Sequence, residues 1–354
     1  MSPIICQRSP PLPPLFPPIK SSPMKFNSMK NIFLSLTFLF AGGLCAQTSA
    51  TIPATTPAAD SAKASSSDFP RYTQMGQPPA PAGAPGGGRY FPPVPRDAKL
   101  PTFWLIGDST VRNGTLGDGT NMGQWGWGAT LPYYFDLQKI NVVNRAFGGT
   151  SSRSFYDGFF WKNLQPQIKK GDFVILQFGA NDNGAASIPG VGDDTHESNG
   201  TTLHSFGWYL TQFVKETRAQ GATPIIASLT PRKKWNADGT RLIGDRGTHA
   251  GWAAQVAKDT GTLFVDLNEL ICVRYGQLGK AKVDTLYVPS PTESLHTGWD
   301  GAVVNAECVI SGLKALKDDP LADYFSDRGK AVLAVEVSQA VEAKPAAATA
   351  DSAK

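Results

Sequence analysis

Five short β-rich runs, Phe103–Ile106, Asn141–Val143, Phe173–Phe178, Pro224–Ser228 and Leu263–Asp266, are spaced through the middle of the chain without alternating polar residues. A strand with one wet face alternates, and one covered on both faces does not. Helical patterns lie around and between these runs, over 124–138, 159–169, 204–220, 247–259, 267–278 and 300–316. The third is the clearest: Phe206, Tyr209, Leu210, Phe213 and Val214 recur at three- and four-residue steps. Strands joined by helices specify an α/β fold with a central parallel sheet covered on both faces. Chemistry in such sheets gathers beyond the carboxyl ends of the strands. Ser109, Gly148-Gly149 and Asn181 each follow directly on one of these runs.

The rest of the chain frames this core. Residues 1–46 read as an export signal: Lys25 and Lys30 precede an apolar run, Ile32–Leu44, that ends in small residues. The run is shorter than the about 20 residues of a spanning helix, although an uncleaved N-terminal anchor has the same pattern. Translation starting at Met24 or Met29 would make residues 1–23 a gene-start error. Residues 47–97 are rich in Ala, Pro, Ser, Thr and Gly and read as a disordered linker. The catalytic core is expected over 98–330, and 331–354 as a disordered tail. The net charge of +4 comes from the first fifty residues, which hold four basic side chains and no acidic one; the remainder has 29 of each sign. Nothing in that balance points to nucleic acid or an anionic membrane. Export would leave Cys272 and Cys308, either bridged or separately buried, and no Cys/His spacing suggests zinc.

Four clusters carry candidate chemistry. In Trp104-Leu105-Ile106-Gly107-Asp108-Ser109-Thr110 an apolar strand runs into a turn-prone pair and then Ser109, a candidate nucleophile; the alternative is a helix N-cap. Gly148-Gly149 allows backbone N–H groups to approach a ligand, or simply makes a turn. Arg153, just beyond, suits an acidic or hydroxylated sugar, or a structural ion pair. Asn181, in Gly179-Ala180-Asn181-Asp182, offers a side-chain amide to an oxyanion or shapes a turn. In Glu293-Ser294-Leu295-His296 the imidazole is a candidate base and Glu293 a candidate partner for its other nitrogen. His196, His204 and His249 have no comparable acidic neighbour in a loop after a strand. Trp125, with Trp127, Phe155, Tyr156 and Trp161, either stacks on sugar faces or belongs to the core.

The order Gly107-Asp108-Ser109, Gly149, Gly179-x-Asn181-Asp182 and His296 resembles the SGNH (GDSL-like) hydrolase superfamily. The stretches Asn144–Phe155, Gln177–Asp182, Thr230-Pro231-Arg232 and Phe264–Asn268 look specifically like the rhamnogalacturonan acetylesterase family, over about residues 100–318. The resemblance implies a flavodoxin-like three-layer α/β/α sandwich. It also implies an exported, periplasmic or extracellular serine esterase, free of metal and cofactor, that removes O-acetyl groups from pectic polysaccharide. It makes Ser109 the nucleophile, His296 the base, and the Ser109 N–H, the Gly149 N–H and the Asn181 side chain the oxyanion hole. The expected partner is an acetylated polysaccharide or oligosaccharide, with no nucleic acid and, after signal cleavage, no membrane. One position departs from the family pattern: Asp-x-x-His is here Glu293-Ser294-Leu295-His296. Other hydrolases use Glu in this role, and Asp300, beyond His296, is the weaker substitute. A different ester (acetylated xylan or a lipid), a non-catalytic carbohydrate-binding protein and an exported structural protein remain as alternatives.

Overall fold

The computed structural model describes residues 93–113, 123–335 and 337. The segment expected to be an export signal, and most of the stretches expected to be a linker and a tail, lie outside the described residues. Five parallel strands form one sheet in the order β2-β1-β3-β6-β7. They are β1 (Thr102–Gly107), β2 (Asn141–Asn144), β3 (Phe173–Gln177), β6 (Thr223–Ala227) and β7 (Leu263–Val265). Successive side chains point to opposite faces, so each strand feeds two cores. Phe103, Leu105, Ile175 and Ile225 pack with residues of α5 (Leu267–Leu278) and α7 (Trp299–Lys314). Trp104, Ile106, Val174, Leu176 and Ile226 pack with α1 (Ser152–Asp157), α2 (Phe159–Leu164), α3 (Phe206–Ala219) and α4 (His249–Thr260). The architecture is the expected three-layer α/β/α sandwich. Two short helices, α6 (Lys280–Asp284) and α8 (Asp327–Ala331), complete the described chain.

Several local expectations are corrected. A helix does not form over 124–138, which folds as two single 3₁₀ turns, Trp127–Ala129 and Leu131–Tyr134. Its backbone donors are used elsewhere: Gly126, Trp127 and Gly128 donate to the carbonyls of Arg112, Thr110 and Val111. Both glycines are needed for that approach, since a β-carbon would sit 2.4 Å from Val111 C at Gly126 and 2.4 Å from Asn144 Nδ2 at Gly128. The 159–169 helix stops at Leu164 and passes into a 3₁₀ turn that contains Pro166. Helix α1 and the hairpin of β4 (Thr195–Ser198) and β5 (Thr201–His204) were not foreseen. Packed chain begins before residue 98, because Arg145 Nη1 donates to Pro93 O (2.9 Å) and Arg96 Nη2 to Leu137 O (2.7 Å). It also continues past 330, where Ser311 Oγ donates to Leu333 O. Cys272 and Cys308 are separate buried thiols in one core, and burial pushes both up to about 12.

Gly107, the last residue of β1, has no room for a side chain. An added β-carbon would lie 2.5 Å from Gln177 O and 2.6 Å from Val111 Cγ2. Gly107→Ala is therefore expected to destabilise the domain by about 2–3 kcal/mol through overpacking. The shift in denaturant midpoint measures it; an unchanged midpoint would show that the strand end relaxes freely.

Candidate active site

The end of β1 builds the site. Asp108 O accepts from Val111 N (3.2 Å) and Arg112 N (3.1 Å), closing one helical turn. Asp108 Oδ1 accepts from Thr110 N (2.8 Å) and Thr110 Oγ1 (2.7 Å), so Asp108 caps this turn and Ser109 does not. The Ser109 hydroxyl instead meets His296 Nε2 at 2.8 Å.

The imidazole arrives on the loop between α6 and α7. That loop is tied down by Lys233 N to Ser294 O (2.6 Å) and by Trp125 N to Thr297 O (2.8 Å). Thr297 Oγ1 returns a bond to Trp125 O (2.8 Å). Glu293 Oε2 lies 2.9 Å from His296 Nδ1, while Oε1 accepts from Leu295 N (2.7 Å) and His296 N (2.9 Å). Burial pushes the Glu293 carboxyl up, but the donors on His296 and Leu295 outweigh it and hold it below the ordinary value. An ionised carboxylate only accepts, so Nδ1 carries the proton and Nε2 presents a lone pair to Ser109. Asp300, in the first turn of α7, is not needed for this contact.

Donors for an oxyanion come from the neighbouring strands. Beyond β2, Arg145 N donates to Leu105 O (2.8 Å) and Phe147 N to Gly107 O (3.0 Å), which carries the chain alongside the Ser109 turn. Gly149 then takes φ +79°, with nothing within 4 Å of a notional β-carbon. Glycine is there for its backbone conformation rather than for space. Asn181, beyond β3, spends one Nδ2 hydrogen on Thr150 O (3.0 Å), which leaves the other for a ligand. The N–H groups of Ser109 and Gly149 have no protein acceptor among the described residues.

The remaining candidates separate. Arg153 is half-buried on α1, its Nε without a partner, and it forms no ion pair among the described residues. Trp125 is corrected: it is 5% exposed and meets the ring of Trp299 edge to face, with centroids 4.8 Å apart. Its work is to hold Thr297, not to offer a stacking face. His196 lies on exposed β4, His204 stacks on Trp208, and buried His249 bonds Asp182 O (2.9 Å). Among the described residues no group of three or more His, Cys, Asp or Glu is placed to hold a metal ion. No described helix is long and apolar enough to cross a membrane.

Two positioning groups escaped the sequence reading. Asp108 is one. Asp182 is the other: its buried Oδ1 accepts from Ser152 N (2.9 Å) and Ser152 Oγ, clamping the start of α1 directly after the Gly149 loop. The signal for α1 was the Ser151…Ser154 pair, which forms a reciprocal capping box.

The chain belongs to the GDSL-like lipase/acylhydrolase family, which its residues 105–300 match, and is a carboxylic ester hydrolase. It is 28% identical over 223 residues to the rhamnogalacturonan acetylesterase of Emericella nidulans, a match covering 60% of this chain and 84% of that one. It is 27% identical over 237 residues to the rhamnogalacturonan acetylesterase RhgT of Bacillus subtilis, covering 64% of this chain and 94% of the relative. The crystal structure of YxiM from Bacillus subtilis superposes with a TM-score of 0.51 at 26% identity. That match covers 61% of this chain and 56% of YxiM.

Burial pushes the Asp182 carboxyl from 3.8 up to about 7. Between those values the native state keeps a proton that the unfolded state has lost, so stability falls as pH rises across the window. Asp182→Asn has no such proton and is expected to show a shallower decline in unfolding free energy between about pH 4 and pH 7. Parallel profiles for the two proteins would mean that this carboxyl ionises normally.

Proposed function

We propose that this protein removes O-acetyl groups from a polysaccharide through an acetyl-enzyme on Ser109, with pectic rhamnogalacturonan as its substrate. One observation carries the reading: the unbroken line from Glu293 Oε2 to His296 (2.9 Å) and from His296 Nε2 to Ser109 Oγ (2.8 Å), beside unpaired N–H donors. His296 Nε2 takes the hydroxyl proton as Ser109 Oγ attacks the acetyl carbon. The N–H groups of Ser109 and Gly149 and the free Asn181 Nδ2 hydrogen stabilise the oxyanion, each donor worth about 10²–10³ in turnover. Collapse expels the sugar oxygen, which leaves with the proton from His296. Water then attacks the acetyl-enzyme by the same route in reverse. The substrate class is supported by the relatives from Emericella nidulans and Bacillus subtilis, both named as rhamnogalacturonan acetylesterases.

Acetate release from acetylated rhamnogalacturonan, compared with acetylated xylan and with esters of increasing acyl length, tests the substrate. The rhamnogalacturonan should be preferred, and Ser109→Ala should abolish release. Rates that climb with acyl chain length would overturn the reading.

Glu293→Gln separates orientation from binding. Its carbonyl oxygen would stay on the two loop N–H donors, turning the amide NH₂ toward Nδ1. The imidazole would then be protonated on Nε2, the wrong tautomer to accept from Ser109. Turnover is expected to fall about 10²–10⁴-fold with little change in KM. An unaltered kcat would remove the orienting role from Glu293.

A further inference from the structure

The amide that Asn181 offers to an oxyanion rides on the turn Gly179–Asp182, beyond the end of β3. The hydrogen bonds within this turn are long: Asp182 N to Gly179 O at 3.4 Å and Asn183 Nδ2 to Ala180 O at 3.3 Å. Both exceed the usual range of about 2.7–3.2 Å for such bonds. A shorter contact comes from another element. His249, the first residue of α4, meets Asp182 O through Nε2 at 2.9 Å. A carbonyl only accepts, so Nε2 carries the proton and donates it. The same side chain abuts the other end of the turn, where a β-carbon added at Gly179 would lie 3.0 Å from His249 Cβ. Gly179 takes φ +131°, and its lack of a side chain lets α4 stand this close. One residue of α4 thus spans the turn from Gly179 to Asp182, with Asn181 in between.

We propose that His249 is a positioning residue for the reaction, holding the Gly179–Asp182 turn so that the second Nδ2 hydrogen of Asn181 meets the developing oxyanion. The inference rests on the oxyanion-hole reading given above. The imidazole is itself held in place. It meets Phe206 and Trp252 edge to face, with ring centroids 5.0 Å and 4.7 Å away. It is buried, and burial pushes its pKa below the ordinary value, against the opposing pull of the Asp182 O bond and of the Asp245 carboxyl. A neutral ring has a single N–H, and His249 spends it on Asp182 O. That bond falls on the peptide oxygen one residue past Asn181, while the Asn181 side chain ties itself to Thr150 O (3.0 Å). The amide is thereby set from two sides, its backbone by α4 and its tip by the Gly149 loop. Donors stabilise an oxyanion only as well as they are fixed before charge develops. A misplacement of about 1 Å, caused some distance from the chemistry, can cost about 10²-fold in rate.

The test is a double-mutant cycle on kcat with a small aryl acetate, using the full-length protein, His249→Phe and Asn181→Ala. Phenylalanine keeps a ring beside Phe206 and Trp252 and removes the donor. His249→Phe should lower kcat about 10–10²-fold with little change in KM. Asn181→Ala alone should lower it about 10²–10³-fold. In the Asn181→Ala background His249→Phe should then change kcat by no more than about twofold, because the amide it positions is gone. A variant that only loses folded protein lowers the rate by the same factor in both backgrounds. His249→Asn, whose amide is too short to reach Asp182 O, runs through the same cycle, so the outcome does not hang on one variant folding. Equal effects of the His249 change in the two backgrounds, an unchanged kcat, or a rise in KM alone overturns the inference while leaving acetyl transfer to Ser109 intact. If Asn181→Ala by itself leaves kcat unaltered, the oxyanion-hole reading has failed and the positioning role falls with it.

Discussion

The carboxyl of Asp108 is wholly buried at the end of β1, and its Oδ1 holds both the amide and the hydroxyl of Thr110. Thr110 Oγ1 in turn accepts from Gln177 Nε2 (2.8 Å), and Gln177 Oε1 accepts from Trp127 Nε1 (2.8 Å). This buried line fastens the Ser109 turn to β3 on one side and to the Gly126–Gly128 segment on the other. Its consequence is chemical as well as structural. A serine after a strand ordinarily caps the next turn with its own hydroxyl. Here the preceding residue does the capping, and the Ser109 hydroxyl is left to face His296.

The same device recurs one strand away. Asp182 anchors the first residue of α1, and the Asn181 side chain anchors Thr150. Both anchors lie just after Gly149, and Phe147 N to Gly107 O (3.0 Å) ties the chain just before it. Burial raises both aspartates, and Asp108 also makes Asp182 harder to ionise. Burying two carboxyls in one neighbourhood costs stability. Each bonds backbone N–H groups that the turns would otherwise leave unpaired, so the cost is partly offset by what the carboxyls satisfy. Rigid donors ahead of the reaction are what electrostatic stabilisation of an oxyanion requires, because they need no reorganisation when charge develops. The expense of two buried acids is thus spent next to the atoms of the proposed chemistry.

Much of this was legible in the chain. The five strands were readable because their residues lack polar alternation, and Leu105, Ile175 and Ile225 are buried accordingly. The strand-end positions of Ser109, Gly149 and Asn181 followed, since a parallel sheet in the order β2-β1-β3 sets those three ends side by side. What was not legible has particular causes. Trp125 and the 124–138 segment carry helix-like apolar spacing, yet that spacing serves contacts to Val111 and Trp299, and tertiary bonding overrides it. The β4–β5 hairpin is polar and exposed, so hydrophobic periodicity is silent there. Its signal was Asn199-Gly200, both with positive φ, the pair favoured in two-residue hairpin turns. The contact of Asp182 with Ser152 and the line from Thr110 through Gln177 to Trp127 depend on distances across strands, which no local pattern encodes.

Glu293 shows how a departure from a pattern can be absorbed by the loop that carries it. An extra methylene gives the carboxylate more reach than Asp would have, and the loop uses that reach to place two oxygens in different roles. Oε1 turns back onto the N–H groups of Leu295 and His296, and Oε2 stands against Nδ1. The first contact fixes the side chain and draws its ionisation downward, so the second remains a charged acceptor. An orienting group for a histidine must stay ionised while the imidazole gains and loses its proton. Glutamate meets that condition here because the peptide bonds it spans are also the ones that position the imidazole. The residue that fixes the tautomer and the segment that fixes the ring are one short turn, so neither moves independently of the other.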